Sequence, residues 1–395
     1  MSHQLLFAGG GIGGLTSAVL SHQAGIDCRV LEQAKRYEEK GSGISLMSNA
    51  ILALREFGLD QAFMDIGEAM TDFQVRDPKD RLIFSSDFAK ITKHVGAPSL
   101  CLHRGDLQKL LLELAKKIPI DLDSRVCDYQ VGPAGVLTTA EVGGSIQKYQ
   151  SQLLVGCDGL KSKVRELLEQ KNPSLAIPST PLRSSGFTAW LGTIPFQASS
   201  FKPGMVIHYW GEGMRVGLID IGKGRLYWWV TMNHSLVQKG PILEFLRERF
   251  KNWPPLVRAA LEQTPDSYDI IQVETLDRKP RDFWGIGPVT LLGDAAHPSL
   301  TSLGQGAGLA IEDAVVLTKN LSAQCSAEGL RVFESLRRRR TSQVVNLSRT
   351  VATYEQWENK LAVGLRNTAF RLMPQAMIDA QNKSLLHFPK IKESP

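Results

Sequence analysis

Apolar residues fall along this chain in short runs and periodic stretches, a rhythm that predicts strands feeding helices. Leu5 to Ala8 reads as a buried strand broken at Gly9, a helix follows to about Gln23, and Cys28 to Leu31 reads as a second strand ending at Glu32. Gly41 and Gly43 precede a strand-like Ile44 to Met47 and a helix from about Asn49. Leu153 to Val155 predicts another strand, closed by Gly156-Cys157-Asp158-Gly159, and Val289 to Leu292 one more, closed by Gly293-Asp294. Small residues fill Ala295 to Gly308, and an apolar periodic segment from Leu309 through Leu317 predicts a helix.

A different pattern fills the rest. Residues 72–100 alternate loosely and predict an antiparallel excursion. Strand-like runs at Ser185–Leu191, Met205–Trp210, Arg215–Ile221 and Arg225–Met232, separated by Gly-Glu-Gly and Gly-Lys-Gly turns, predict an antiparallel sheet. Trp210, Tyr227, Trp228 and Trp229 would give it an aromatic face, with helices over Pro241–Phe250 and Pro255–Gln263. After Asp313 the pattern is helical through Arg331 to Trp357, with Arg337 to Arg340 on an exposed, solvated turn. A last helix near Leu361–Met377 is expected to dock onto the first domain.

Composition narrows the class. A chain of 395 residues is long for one core and predicts two joined domains; 43% apolar and 22% charged residues suit an ordinary globular enzyme. Cys28, Cys101, Cys127, Cys157 and Cys325 form no CxxC pair, which argues against a disulfide framework or a metal site and for packed thiols in a reducing compartment. With a strand beginning at Gln4 or Leu5 and no run approaching a membrane span, a cytoplasmic location is expected. The net charge of +6 comes without aromatic-basic interleaving, so no nucleic-acid partner is expected and an anionic cofactor accounts for the field.

The candidate chemistry sits where strands end. Gly9-x-Gly11-x-x-Gly14 follows a strand and opens a helix. Gly9 permits the turn, Gly11 lets the backbone approach a pyrophosphate, and Gly14 brings helix onto strand, with Ile12 and Gly13 in the same loop. Glu32, 18 residues beyond Gly14, is placed for a ribose diol, which favours FAD or NAD over NADP. The fold class is α/β, α+β overall: a Rossmann-like dinucleotide-binding domain, an inserted antiparallel-sheet substrate domain and C-terminal helices. The first takes residues 1–71, 101–175 and 276–345, the second 72–100 and 176–275, and the helical segment 346–395. Gly43 either clears space for a flat ring or makes a plain turn. Arg104, before a helix capped by Asp106, either clamps a phosphate or lies on the surface. Asp294 suits a sugar hydroxyl or a ligand N–H, and Gly304, Gly306, Ala307 and Gly308 would present helix amides to an anion or an anionic ring edge. His208, Trp210, Tyr227 and Trp229 are candidates for a flat hydrophobic pocket, although one face of any such sheet is core.

The GxGxxG loop, the D-G-x-x-S-x-x-R motif of Asp158, Ser162 and Arg165, and Gly293-Asp294, in this order, resemble the single-component (group A) FAD-dependent aromatic hydroxylases of the p-hydroxybenzoate hydroxylase type. GSGISLMSNA, LHRGDLQ and LGDAAHPSL…LGQGAGLAIEDA are most similar to salicylate, quinolone and zeaxanthin-epoxidase-like members. The resemblance implies FAD held by Gly9, Gly11, Gly14, Glu32, Arg104, Asp294 and Gly304 to Gly308, with Asp158 tied to FAD and NAD(P)H binding or bracing its turn. NADH or NADPH would serve as transient co-substrate, and O2 would oxygenate a small aromatic or hydrophobic substrate through a flavin C4a-hydroperoxide. The protein would be a monomer or homodimer without stable membrane insertion. Thr301 stands where the family commonly has proline, and Leu191 where it commonly has arginine; the latter weakens the case for a carboxylate substrate. No catalytic residue is assigned: His297 and Thr301 are the candidates, with a positional role preferred for His297. An isoprenoid epoxidase and an FAD-dependent reductase share the pattern. A halogenase would need a Trp-x-Trp-x-Ile-Pro box, which is absent, and a non-catalytic protein would show decayed glycine loops.

Overall fold

The computed structural model describes residues 2–38, 42–173, 180–238 and 240–389; Gly41 and the expected domain junction at 175–176 lie outside them. Its first sheet is built on Ser2–Ala8, flanked in parallel by Cys28–Leu31 and Ser145–Gly156, with Val289–Leu291 parallel to the latter. Leu5, Leu6, Phe7, Leu154, Val155 and Val289 are fully buried, as continuous apolar runs covered on both faces require. Helices Ile12–Gln23 and Gly306–Ala323 pack on one another and share one core with these strands. An antiparallel meander, Ser124–Gly132 and Gly135–Val142 running into Ser145–Gly156, extends one edge.

Register places the site. Ala8 pairs with Gly156, and Gly156 with Leu291, so the three strands end side by side. The loops beginning at Gly9, Cys157 and Leu292 therefore emerge together at the carboxyl edge, where ligands of such sheets bind. Backbone bonds from Cys157 N to Ala8 O (2.7 Å) and from Leu292 N to Gly156 O (2.9 Å) lock that edge.

The second sheet has the order Ile271–Asp277, Arg183–Pro195, Arg225–Asn233, Met214–Asp220, Met205–Trp210, Asp72–Arg76, Leu82–Asp87. It is antiparallel except where Asp72–Arg76 joins Met205–Trp210 in parallel. The excursion at 72–100 therefore completes this sheet, then adds a helix, Phe88–Val95. Helices Ile242–Phe250 and Pro255–Gln263 cover one face. The expected single aromatic face is corrected: side chains alternate along a strand, so Trp228 joins Trp190, Leu246 and Phe250 under those helices, while Tyr227 and Trp229 point the other way, towards Met47 and Phe73.

A third, small sheet pairs Gly43–Leu46 with Leu100–His103. The C-terminal part holds helices Ala327–Glu355, Lys360–Leu372 and Gln375–Leu386. The single expected last helix is thus two, interrupted at Pro374, which cannot donate a backbone hydrogen bond. Arg337 to Arg340 do not form a solvated turn. They lie inside a 29-residue helix, and Arg337 is 1% exposed. No helix among the described residues is long and apolar enough to cross a membrane, and none of their His, Cys, Asp and Glu clusters is placed to hold a metal.

Candidate active site

Three loops at the sheet edge form a cleft lined by glycine. Gly9 has φ 112°, and a Cβ there would stand 2.4 Å from Cys157 O. One on Gly14 would stand 1.9 Å from Gly9 O, so the first helix lies directly on its loop. Gly11 faces open space. Glu32 orders this loop, accepting from Gly10 N (2.6 Å) and Ala34 N (2.8 Å) at the end of the second strand. Gly13 packs closely on Leu292 and Ala310, fitting the helix against the Gly293-Asp294 loop.

The second loop acts as a brace. Asp158 accepts from the Ser162 hydroxyl and from the backbone N–H of Lys163 (2.7 Å) and Val164 (3.0 Å), closing the start of helix Lys163–Lys171. Burial raises its carboxyl, and these bonds oppose the shift. Arg165, buried one helical turn on, donates to Ala295 O (2.9 Å) and Ala296 O (3.2 Å). The Asp158 motif thereby holds the third loop, a role the spacing signalled only as a motif.

In the third loop, Gly293 has φ 62° and its N–H donates to Asp313 Oδ2 (3.0 Å). Asp294 is open to solvent yet set deep in the cleft. Its depth raises the carboxyl, while the charges of His297 and Arg104 act the other way. Arg104 itself is exposed, and the helix it opens is capped by His103, whose Nδ1 accepts from Gly105 N (3.2 Å). The expected Asp106 cap is therefore corrected: Asp106 instead receives Arg225 Nη2 (2.7 Å) from the second sheet.

His297 is 5% exposed and its Nε2 donates to Asp313 Oδ2 (2.6 Å). Burial raises the Asp313 carboxyl, but the charges of His297 and Arg337 and their hydrogen bonds prevail and hold it down to about 2. A carboxylate so held cannot donate, so the shared proton belongs to His297, and the pair ties the loop to helix Gly306–Ala323. Thr301 is exposed in the turn Thr301–Leu303. Gly304 closes that turn at φ 61°, and the first helical hydrogen bond beyond it is Leu309 N to Gln305 O (2.8 Å). The amides of Gly306, Ala307 and Gly308 thus have no partner within the helix and carry its positive end.

Beneath this helix start lies a buried network that sequence reading missed. Asn49 donates to Gln305 Oε1 (3.0 Å) and Glu312 Oε1 (2.6 Å), Arg337 pairs with Glu312 and Asp313, and Arg340 with Glu312 (each within 2.7 Å). The only signal was the i, i+3 spacing of Arg337 and Arg340 on one helix face.

Gly43 is also corrected. A Cβ there would lie 2.2 Å from Tyr227 Cγ, so the ring it makes room for is that of Tyr227. Of the pocket candidates, Trp210 is buried against Phe84, Tyr354 and Phe370. His208, Tyr227 and Trp229 are half-buried on the face that packs towards Met47 and Phe73. A separate cleft of about 450 Å³, lined by Phe196, Phe201, Asp220 and Arg225 among others, includes none of these three.

The open backbone at Gly11, the accessible carboxylate of Asp294 and the free helix amides fit a dinucleotide carrying a flat ring with an anionic edge. Fold and site together define a dinucleotide-binding flavoprotein. Residues 3–348 match the family described as FAD binding domain. The chain is 34% identical over 388 residues to the aurachin C monooxygenase/isomerase of Stigmatella aurantiaca, covering 97% of this chain and 98% of that one. It is 29% identical to the 2-heptyl-3-hydroxy-4(1H)-quinolone synthase of Pseudomonas aeruginosa, with 94% of each covered. Among solved structures, Klebsiella pneumoniae HpxO, complexed with FAD and uric acid, superposes with a TM-score of 0.87 at 23% identity, covering 97% of this chain and 96% of the other. The protein belongs to the FAD binding domain family and, within it, to the group A FAD-dependent monooxygenases, with FAD as its cofactor.

Proposed function

We propose that the protein uses NADH or NADPH and O2 to hydroxylate a small, flat aromatic or heteroaromatic substrate. One observation carries this reading: Met47, which packs in one cluster with Tyr227 and Trp229, also lies against Gly304, where a Cβ would stand 3.0 Å from Met47 Cε, so the aromatic floor adjoins the turn that leads into the unpaired amides of Gly306 to Gly308. The similarity to monooxygenases, one of them named for a quinolone product, supports it.

Bound FAD would accept hydride and supply the oxygen-activating chemistry. Glu32 would hold the adenosine ribose, Gly11 the pyrophosphate, Asp294 and Arg104 the ribityl-phosphate linker. The amides of residues 306–308 would hold negative charge on the ring edge. His208, Tyr227 and Trp229 would orient the substrate ring and exclude water. His297 and Thr301 need donate nothing to this chemistry; His297 positions the loop through Asp313.

The test follows NADH and NADPH oxidation with oxygen uptake by FAD-loaded protein, across phenols, salicylates, hydroxyquinolones and isoprenoid alkenes. Substrate-stimulated uptake with little hydrogen peroxide, and a hydroxylated product, is the expected result. Oxidation without oxygen uptake would replace this reading with a reductase.

A further inference from the structure

Resting on that monooxygenase reading, we infer that the site selects a substrate ring without net charge, a neutral heteroaromatic such as a 4-quinolone, over an aromatic carboxylate. The floor of the site is one row across four strands. Leu191 pairs with Trp229, Trp229 with Gly217, and Gly217 with His208. Leu191, His208 and Trp229 are half-buried, whereas their strand neighbours Trp190, Tyr209 and Trp228 are buried, so the row borders open space. Gly217 admits the Trp229 indole, since a Cβ there would lie 2.0 Å from Trp229 Cε2. His208 meets Phe73 and Trp229 edge-on, with ring centroids 4.9 and 4.8 Å apart. The row offers aliphatic and π surface.

Arg215 and Arg225, which project from this face, are each paired with a carboxylate. Arg215 is 2% exposed and pairs with Glu355 at the end of the long C-terminal helix, while its Nε donates to Thr231 Oγ1 (3.2 Å). Its guanidinium lies 5.2 Å from the Trp229 ring centroid, directly beside the floor. Arg225 donates to Asp106 (2.7 Å). Burial, and then the charge of Arg215, pushes the His208 imidazole down to about 3, so it is neutral at physiological pH. A substrate carboxylate entering here loses its water beside a guanidinium, that of Arg215, which Glu355 already pairs, while Arg366, over the Trp210 ring further along the same face, turns its Nη1 to the Tyr354 and Glu355 carbonyls. A neutral ring forfeits little solvation and gains stacking area. Glu355 is thereby a specificity-determining residue that works through Arg215.

The experiment titrates FAD-loaded protein with a 2-alkyl-4-quinolone and with a quinoline carboxylate of matched size, reading the flavin absorbance change and oxygen uptake. The same titration is repeated with Glu355→Gln and with the double variant Arg215→Met, Glu355→Met. The expected result is a wild-type preference for the neutral ligand of about tenfold or more. Glu355→Gln should narrow it by about tenfold as Arg215 becomes available to an anion, and the double variant should restore it. Equal or tighter carboxylate binding by the wild type overturns the inference while leaving the monooxygenase reading intact, and this arm needs no variant to fold. An unchanged preference in Glu355→Gln that still binds FAD overturns the role of the pair. Failure of every ligand in the wider panel to stimulate oxygen uptake would remove the monooxygenase reading, and this inference with it.

Discussion

Gly43 holds an interface open by lacking a side chain. The Tyr227 ring fills the space where a Cβ would stand, 2.2 Å from Tyr227 Cγ. Gly43→Ala is expected to lower stability by about 1–3 kcal/mol in urea unfolding, the usual cost of overpacking, and a second change, Tyr227→Ala, should recover part of that loss. A simple sum of the two effects would show that the ring does not rest there. Asp313 gives the protein an acid limit. Its carboxyl is held at about 2, below the ordinary value near 4, so the ionised form is favoured on folding. That stabilisation, roughly 2 kcal/mol, is full above about pH 4 and is lost as pH falls towards 2. Wild-type stability should therefore fall more steeply than that of Asp313→Asn across this window. Parallel curves would place the acid limit elsewhere.

Among the elements, helix Ala327–Glu355 shows how periodicity decides what a charge run does. Read as four consecutive arginines, 337 to 340 look like a solvated turn. Wound into a helix, Arg337 and Arg340 face inward to Glu312 and Asp313, and Arg339 faces solvent. Arg337→Met should cost about 3–5 kcal/mol, because it removes the guanidinium that two buried carboxylates share, and should weaken FAD retention by loosening the start of helix Gly306–Ala323. Arg339→Ala should stay within about 0.5 kcal/mol of the wild type. Thermal melts with and without added FAD separate the two variants; similar losses would contradict the register. Strand alternation divides Trp228 from Tyr227 and Trp229 by the same logic at period two, so that reading was available from the sequence.

For the whole molecule, the decisive feature is the common ending of Ser2–Ala8, Ser145–Gly156 and Val289–Leu291, strands drawn from widely separated parts of the chain. The C-terminal helices close the assembly. Ile378, Leu386 and Phe388 are buried, and Arg340 donates to Leu385 O (3.1 Å). Ending the chain at Met373 should therefore lower the melting temperature by several degrees, since the burial of these three apolar side chains, about 1.5–3 kcal/mol each, is lost with them. An unchanged melt would show that this helix contributes no net stability.

The local signals determined a great deal by themselves. Glycine spacing, the acid at Glu32 and apolar runs closed by Gly-Asp or Asp-Gly are properties of adjacent residues, and they sufficed for the strand-loop-helix units and the cofactor class. What only the tertiary structure decided depends on residues far apart in the chain. Arg165 binds the loop 130 residues on, Arg215 finds its carboxylate 140 residues away at Glu355, and Gly43 meets Tyr227. A buried charge or a missing Cβ takes its meaning from whichever group stands opposite, and no periodicity along one segment encodes the identity of that group.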